Sequence, residues 1–483
     1  MHHLKYIIVL IRVIRAYHVG TIAAPISQLK VQPLQDGKTT IAIAFAAKVS
    51  EDGKLLNPET IEKPKTSARE YDTINVRFWD LYFPKESSTL WYTTLDHVAG
   101  KYKLPSDRKP VDALKGLGLE FPYTPTSALG AGGDYDISRA GMLVSTADPE
   151  VNPAYNIEQG LWYVKLETFT ETEPETCRIH NSNKAYKGSI KSVSFAPDDS
   201  GCAIYLQGKN PRSQVAADDV FVVDLKSRES SLIPCQLEDG IDLEPNHVQF
   251  SHDCKEIYIA VDLKARTVLY QQKLDDKKHK SGELERIDIP GSIVSVESLY
   301  SPVSHNPLST NHLLATTTSL VDPSVYMIVD PRAQSQVRVL SESSQTGTTL
   351  GLKRGQVSEI HVKQTDKDGN DYTVQSWIVV PSDFDKSKKY PLAMLIHGGP
   401  QIATMDAWST RWNSACFAEQ GYVVVSPNPT GSTTFGFKYT DGVLGEWGGA
   451  AYTDIEATFD YIEKNLEFVD TSRAVLGGGS YGG

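Results

Sequence analysis

The sequence has few cysteines, and their spacing excludes a common class of metal site. Only five occur in 483 residues, and no two of them form a C-x-x-C pair. Structural zinc sites usually draw ligands from such pairs, so we expect no zinc module, and no motif calls for another cofactor. A disulfide between two of the four central cysteines stays open. These four are Cys177, Cys202, Cys235 and Cys254.

Long apolar runs and an excess of positive charge are also lacking. The apolar run at residues 6–11 resembles the start of a signal peptide, but Arg12 and Arg15 interrupt it and it is far too short to span a bilayer. No acceptor sequon for N-glycosylation occurs. The net charge of -12 argues against nucleic acid or an anionic membrane as the main partner.

The first two thirds of the chain has the pattern of short β segments separated by turns, with residues 41–45, 76–83 and 90–95 as examples. Residues 193–206 and 248–260 each run from an apolar strand through an Asp-centred turn to a second apolar strand, and residues 134–144 are similar. Phe195 and Phe250 lie 55 residues apart, which is near the length of a propeller blade. We therefore favour a partial β-propeller over a β-sandwich for residues 31–345, after a poorly defined segment at 1–30.

From about residue 371 the pattern changes to alternating strands and helices. Residues 390–396 and 422–426 are continuous apolar runs, typical of strands buried on both faces. Helical spacing is seen at 407–420 and 453–465, and residues 473–476 predict a further strand. This succession predicts a mostly parallel sheet covered by helices over residues 346–483, with the domain boundary near 341–356, where Ser, Thr and Gly are dense.

The strongest chemical signal is G-x-S-x-G at residues 478–482, directly after a predicted buried strand. In an α/β-hydrolase the chain turns so tightly at this point that small residues must flank the serine. The turn exposes the Ser480 hydroxyl as a nucleophile, and the backbone N–H of Tyr481 can stabilise an oxyanion. A glycine-rich turn with a passive serine is the alternative. A phosphate loop is disfavoured, because no Lys-Ser/Thr pair follows the glycines.

A second signal is the sequence HGGP at residues 397–400, at the end of the predicted strand 390–396. A glycine-rich turn there can direct a backbone N–H at the developing oxyanion, and we assign this role to Gly399, paired with Tyr481. His397 is not expected to be the general base, because the base in this fold follows the nucleophile in the chain. We expect it to shape the loop instead.

Two further segments are predicted to be structural. Residues 426–436 form a turn-rich loop at a strand end, on the edge where such sheets bind ligands. Glu446 opens the sequence EWGGA before the next helix, and Asp454 is expected in that helix's first turn, where it would interact favourably with the helix dipole.

Together, these motifs resemble the prolyl oligopeptidase family of serine peptidases, and most closely its dipeptidyl-peptidase V branch. The segments that carry the resemblance are HGGPQ, WSTRWN, QGYVVVSPNPTGSTTFG, EWGG and GGGSYGG, with SAREYDTINVRFWDLY and GGDYDIS in the β-rich part. The resemblance covers roughly residues 65–483. It implies a seven-bladed propeller, an α/β-hydrolase domain, an active site between them and release of dipeptides from free peptide N-termini.

The resemblance also sets expectations for location and completeness. The best-known members of this branch are secreted fungal enzymes, so secretion is expected, with a cytoplasmic location as the alternative. Members of the family carry the triad Asp and His beyond the serine turn, and more propeller before residue 71. From these departures we expect a hydrolase domain cut off after its nucleophile turn, and an inactive chain.

Three other functions stay open. A carboxylesterase shares both glycine-rich turns, but simple esterases have no β-rich region of this kind before them. An acylaminoacyl-peptidase-like enzyme would act on blocked N-termini. A propeller-based binding protein would have no catalytic activity. The expected partners are peptide substrates, and neither nucleic acid nor a membrane is expected to be one.

Overall fold

The computed structural model describes residues 17–34, 40–62, 65–71, 77–78, 81–82, 86–123, 133–152, 156–210, 218–234, 243–275, 280–299, 312–333, 337–342, 352 and 354–483. The chain divides into two compact units. The first comprises Met1–Pro234 and His247–Cys254, and the second comprises Cys235–Asn246 and Lys255–Gly483. The boundaries predicted from the sequence, including the one near 341–356, stay predictions.

The first unit consists of antiparallel sheets whose strands mostly follow one another in the chain. One sheet has five strands: Ser27–Pro33, Thr40–Lys48, Ser88–Val98, Lys101–Lys103 and Val111–Asp112. A second has eight, in two four-stranded meanders: Tyr135–Ser138, Gly141–Ala147, Gln159–Lys165 and Glu175–Asn181, then Ile190–Phe195, Cys202–Gly208, Asp218–Asp224 and Glu229–Ile233. A short parallel pairing of Glu175–Asn181 with Glu229–Ile233 joins the meanders.

The hairpins predicted from the repeat are present in this unit, but the turn of the first, at Arg139 and Ala140, contains no Asp. Tyr135–Ser138 pairs with Gly141–Ala147, and Ile190–Phe195 pairs with Cys202–Gly208, both as antiparallel neighbours. The acidic residues before and within the first of these hairpins also join the two meanders. Asp134 accepts a hydrogen bond from the backbone N–H of Val193 (2.9 Å), and Asp136 accepts one from that of Phe195 (2.8 Å). Burial raises the pKa of Asp136, and Lys30 opposes that effect from 3.3 Å.

Two sequence predictions are corrected here. Residues 76–83 were expected to form one strand, but Arg77–Phe78 and Leu81–Tyr82 pair with each other as a minimal hairpin. A possible disulfide among the central cysteines does not involve Cys177 or Cys202, which form no disulfide. Cys235 lies outside the described residues.

The second unit contains two further antiparallel meanders and a mixed sheet. The first meander includes Glu256–Leu263, Arg266–Leu274 and Lys280–Ile287, and the second consists of Ser292–Ser298, Leu313–Thr318, Val325–Val329 and Val337–Glu342. Residues of the strand Glu244–Phe250 belong to both units. A core that includes Leu269, Leu313 and Met327 is buried among these strands.

The mixed sheet carries the chemical motifs, and we number its strands in chain order. They are β1 (Val357–Thr365), β2 (Asp371–Val379), β3 (Tyr390–Ile396), β4 (Val423–Asn428) and β5 (Val469–Gly478), arranged β1-β2-β4-β3-β5. The short turn between β1 and β2 can join only antiparallel neighbours, and β2 also pairs antiparallel with β4. The three strands that the succession predicted, β3, β4 and β5, are parallel to one another as expected, and β2 is the strand of this sheet that runs the other way.

Three helices accompany this sheet: α1 (Ser414–Ala418), α2 (Phe437–Asp441) and α3 (Ala450–Asn465). The strands predicted at 390–396 and 422–426 are present within a few residues, and so is the helix predicted at 453–465. The helix predicted at 407–420 is confined to α1. Backbone groups near the predicted start of this helix form hydrogen bonds to distant residues instead. The Asp406 N–H donates to the Ala265 carbonyl, and the Trp408 N–H donates to Thr318 Oγ1. A short pattern could not reveal those long-range partners.

Candidate active site

The two glycine-rich motifs leave neighbouring strands at the same edge of the sheet. Strands β3 and β5 run parallel, and Ile396 pairs with Gly478 at their carboxyl ends. HGGP therefore begins one residue after the end of β3, beside the turn that carries Ser480. Ligand sites of α/β sheets lie at this edge, which agrees with the sequence prediction.

The backbone at Ser480 is held in a conformation that L-residues rarely adopt. Its φ is +57°, in the left-handed region, and its side chain is exposed at the tip of the turn. A Cβ added to Gly478 would lie 1.9 Å from the Gly482 carbonyl oxygen, and one added to Gly482 would lie 2.3 Å from that of Ile396. The glycines two residues before and two residues after the serine are thus required by contact between backbone segments. This is the geometry of a strained nucleophile turn.

The HGGP loop packs against this turn. A Cβ on Gly398 would lie 2.7 Å from the Gly479 carbonyl oxygen and 3.2 Å from Ser480 Cβ. Gly399 has a φ of +113°, which a residue with a side chain would rarely adopt. Within residues 354–483, neither the Gly399 N–H nor the Tyr481 N–H donates to another protein group. Both amides are thus free for a substrate oxygen, although their role in holding an oxyanion stays a prediction.

The ring of His397 is engaged with the loops on either side of it. Its Nδ1 lies 2.8 Å from the Gly398 carbonyl oxygen, and its Nε2 lies 3.0 Å from Ser432 Oγ. Burial lowers the pKa of His397. Because the Gly398 carbonyl can only accept, Nδ1–H donates to it. Nε2 lies against Ser432 Oγ, whose hydroxyl donates to the Pro429 carbonyl (2.6 Å). With both nitrogens occupied, His397 fits the loop-shaping role expected from the sequence and not that of a general base.

Asp454 has a different position and role from those expected. Helix α3 begins at Ala450, so Asp454 lies beyond the first turn of the helix. Its buried carboxyl group accepts hydrogen bonds from the N–H (2.7 Å) and Oγ1 (2.6 Å) of Thr430 and from the Tyr372 hydroxyl (2.6 Å). It therefore holds the loop at 429–434, and with it Ser432, to helix and sheet. Glu446 is exposed and pairs with Lys367 at 2.8 Å.

Aromatic side chains surround the serine turn. The ring of Tyr481 packs edge-on against Trp447, with ring centroids 5.2 Å apart. Beside them lies a mostly apolar cavity of about 300 Å³, bounded by Ile396, Pro400, Pro429, Ala451 and Ile455 among others. On another side, the ring of Trp412 approaches Gly479, where an added Cβ would be 3.1 Å from Trp412 Cζ2. No pattern in the sequence indicated the contact with Trp412, because it joins residues 67 positions apart.

A hairpin of the second unit supports the loops behind the site. Arg266 forms an ion pair with Glu359, lies 3.7 Å from Asp406 and has its guanidinium carbon 4.6 Å from the Trp377 ring centroid. At the preceding turn, the Ala265 N–H donates to Thr434 Oγ1 (2.8 Å). These contacts fix the loops at 404–408 and 432–436, and no motif in the sequence indicated them.

The described residues offer no metal site and no membrane span. No group of three or more His, Cys, Asp or Glu residues among them is placed to hold a metal ion. No helix in the described ranges is both long enough and apolar enough to cross a bilayer.

Comparison with known proteins relates the chain to one peptidase family and to named relatives. The family described as the prolyl oligopeptidase family matches residues 408–483. A probable dipeptidyl-peptidase 5 of Aspergillus clavatus is 33% identical over 97% of this chain, and dipeptidyl-peptidase 5 of Arthroderma otae is 32% identical over 89% of it. Residues 408–483 thus match the prolyl oligopeptidase family, and most of the chain is similar to proteins named dipeptidyl-peptidase 5. The chain spans 62% and 56% of the lengths of these two relatives.

Solved structures of the prolyl oligopeptidase type share the fold. An acylaminoacyl peptidase of Pyrococcus horikoshii aligns with a TM-score of 0.64 at 16% identity, covering 98% of this chain and 62% of that one. A prolyl endopeptidase aligns with a TM-score of 0.52 at 14% identity, covering 94% and 54%. The predicted order, propeller sheets followed by an α/β-hydrolase sheet, is thereby confirmed.

Proposed function

We propose that this chain carries the nucleophile and the oxyanion-binding amides of a serine peptidase that releases dipeptides from free peptide N-termini. The observation that supports the proposal is the close approach of Gly398 to the turn of Ser480, an exposed residue with a left-handed backbone conformation. The relatives named dipeptidyl-peptidase 5 support the choice of substrate class.

The chemistry follows from the parts at this edge of the sheet. Ser480 Oγ attacks the scissile carbonyl, and the negative charge that develops on its oxygen is held by the N–H groups of Gly399 and Tyr481. These donors are fixed in place before reaction, since His397 and Ser432 hold the loop. In such a site a histidine removes the serine proton and a carboxylate orients that histidine. We assign neither role to a residue of this sequence.

The test uses protein made from the full-length transcript, with whatever sequence the transcript adds. A dipeptidyl p-nitroanilide with a free amino group should be cleaved, and Ser480→Ala should reduce kcat/KM by about a thousandfold or more. Ser472→Ala, an exposed serine on the same strand, is the matched control. The N-acetylated substrate should resist cleavage.

Each alternative predicts a different result in this assay. Cleavage of only the N-acetylated amide would indicate an acylaminoacyl-peptidase-like enzyme, and cleavage of an ester but of neither amide would indicate a carboxylesterase. Absence of any turnover that depends on Ser480 would refute the peptidase proposal and favour a binding protein.

We also infer that the protein is secreted, on the basis of its resemblance to secreted fungal enzymes. Fractionation of the native source decides this. An intracellular protein would instead fit the cytoplasmic alternative.

A further inference from the structure

The chain that follows Gly399 folds back against it before it leaves the site. A Cβ added to Gly399 would lie 2.8 Å from the Gln401 nitrogen and 3.1 Å from the Ile402 nitrogen. The Ile402 N–H donates to the Pro400 carbonyl oxygen (2.9 Å), which closes the turn. Because the backbone at 401–402 packs directly on Gly399, the direction of the Gly399 N–H depends on where residues 401–404 are held.

One buried side chain fixes the far end of this segment. Residues 401–404 belong to no strand or helix. The Thr404 N–H instead donates to Asn428 Oδ1 (2.7 Å), and Asn428 Nδ2 donates to the Thr404 carbonyl oxygen (3.1 Å). Trp377 Nε1 reaches the same carbonyl oxygen at 2.8 Å. The amide group of Asn428 thus supplies the hydrogen bonds that a neighbouring strand would otherwise provide.

The orientation of this amide group is itself fixed. Asn428 is fully buried at the end of β4, and its Nδ2 also donates to Gln375 Oε1 (2.7 Å) on the neighbouring strand β2. Gln375 Nε2 in turn donates to Glu359 (3.1 Å), whose carboxylate is paired with Arg266 and can only accept. If the Asn428 amide turned over, it would lose its bonds to Thr404 and Gln375 together.

We propose that Asn428 is a positioning residue of the Ser480 site, whose side-chain amide holds residues 401–404 so that the Gly399 N–H points at the oxyanion. The inference rests on the proposed function for the role of Gly399. An oxyanion forms only in the transition state, so a displaced Gly399 N–H should lower kcat and leave KM nearly unchanged. A residue that only stabilised the fold would not produce this split.

The test compares near-isosteric variants of protein made from the full-length transcript. Asn428→Asp keeps an oxygen for the Thr404 N–H but replaces the Nδ2 donor, so the bonds to Gln375 and to the Thr404 carbonyl are lost. We expect kcat for a dipeptidyl p-nitroanilide to fall by about ten- to a hundredfold, with KM within about twofold. Ser426→Ala, a change of another buried side chain two residues earlier on β4, should alter neither.

A second readout does not depend on turnover. A dipeptidyl boronic acid adds to Ser480 Oγ and places an oxygen where the oxyanion would lie, whereas the free dipeptide product makes no such contact. Asn428→Asp should therefore weaken binding of the boronic acid by about tenfold or more and leave binding of the dipeptide unchanged. Calorimetry on wild type and both variants measures this.

A milder variant keeps the inference testable if Asn428→Asp does not fold. Trp377→Phe removes one donor to the Thr404 carbonyl oxygen and leaves Asn428 in place, so kcat should fall by about threefold at constant KM. An unchanged kcat in the folded variants would overturn the inference. So would a loss of KM and of dipeptide affinity as large as the loss of kcat.

Failure of the proposed function gives a different result. Wild-type protein would then cleave only an N-acetylated amide or an ester, and Asn428→Asp would still lower kcat on that substrate. If wild type cleaves the dipeptidyl substrate and Asn428→Asp cleaves it equally well, the proposed function stands and the role of Asn428 is refuted. If nothing is turned over through Ser480, both are refuted.

Discussion

Ile396 and Gly478 are paired on the adjacent parallel strands β3 and β5. Within two residues after each of them the chain turns, and the two turns contact each other through their backbones. This pairing brings the HGGP loop and the serine turn together without any side chain between them. The site is therefore built mainly from backbone, so glycine substitutions test it directly.

Gly478→Ala should strongly destabilise the protein, because the new Cβ would overlap the Gly482 carbonyl oxygen at 1.9 Å. A backbone atom cannot move away cheaply, so we expect a loss of about 3 kcal/mol or more in the free energy of unfolding. The adjacent Gly477→Ala is the control, since its Cβ would meet only Leu395 Cδ2 at 3.6 Å. Equal urea midpoints for the two variants would contradict the steric account.

The strain at Ser480 predicts a difference between two inactive variants. Ser480→Gly relieves the left-handed φ of +57°, whereas Ser480→Ala keeps it. The glycine variant should be more stable than the alanine variant by about 0.5–1 kcal/mol, even though glycine usually destabilises by increasing the entropy of the unfolded chain. Thermal unfolding of the two proteins in parallel would show this, and an alanine variant of higher Tm would disprove it.

Acidification should remove the stability that His397 contributes. Its pKa in the folded protein is lowered from the usual 6.5 by burial, so the folded state binds the proton less readily than the unfolded state does. The contribution is therefore complete above pH 6.5 and is lost as the pH falls from there towards the lowered pKa. The difference in unfolding free energy between wild type and His397→Gln should shrink between pH 8 and pH 5, and a constant difference would argue against this linkage.

The buried carboxyl group of Asp454 should contribute more to stability than the exposed acids of helix α3 do. Asp454→Asn places an amide group where the N–H and hydroxyl of Thr430 both donate, and should cost about 2–4 kcal/mol. Asp460→Asn, an exposed change on the same helix, should alter stability by less than about 0.5 kcal/mol. Denaturant unfolding compares the two, and similar values would mean that the Thr430 contacts contribute little.

Thr434 links the loop of the candidate site to a distant hairpin. Thr434→Val keeps the shape of the side chain but leaves the buried Ala265 N–H without its acceptor, at a cost of about 1–3 kcal/mol. Thr433→Val is the matched control at the neighbouring position. If both variants unfold at the wild-type urea concentration, the bond between Ala265 and Thr434 does not contribute to stability.

The structure could be predicted from the sequence where local patterns and backbone sterics determine it. The apolar run at 390–396 and the glycines around Ser480 gave the strand and the turn, because both depend on residues close together in the chain. The helix predicted at 407–420 was mostly wrong, since the N–H groups of Asp406 and Trp408 bond to Ala265 and Thr318. The parts of the site held by Arg266, Asp454 and Trp412 depend on such long-range contacts and could not be predicted.

The turn at Lys264 and Ala265 has a wider consequence. Both residues have a positive φ, of 49° and 58°, without being glycine, and both amides donate to Thr434. The turn is therefore held in an unfavourable conformation by a loop 169 positions away, and it would relax if that loop detached. The hairpin and the loop behind the serine should accordingly exchange their amide hydrogens in one concerted opening, so that this propeller-type meander loses its structure together with the hydrolase sheet.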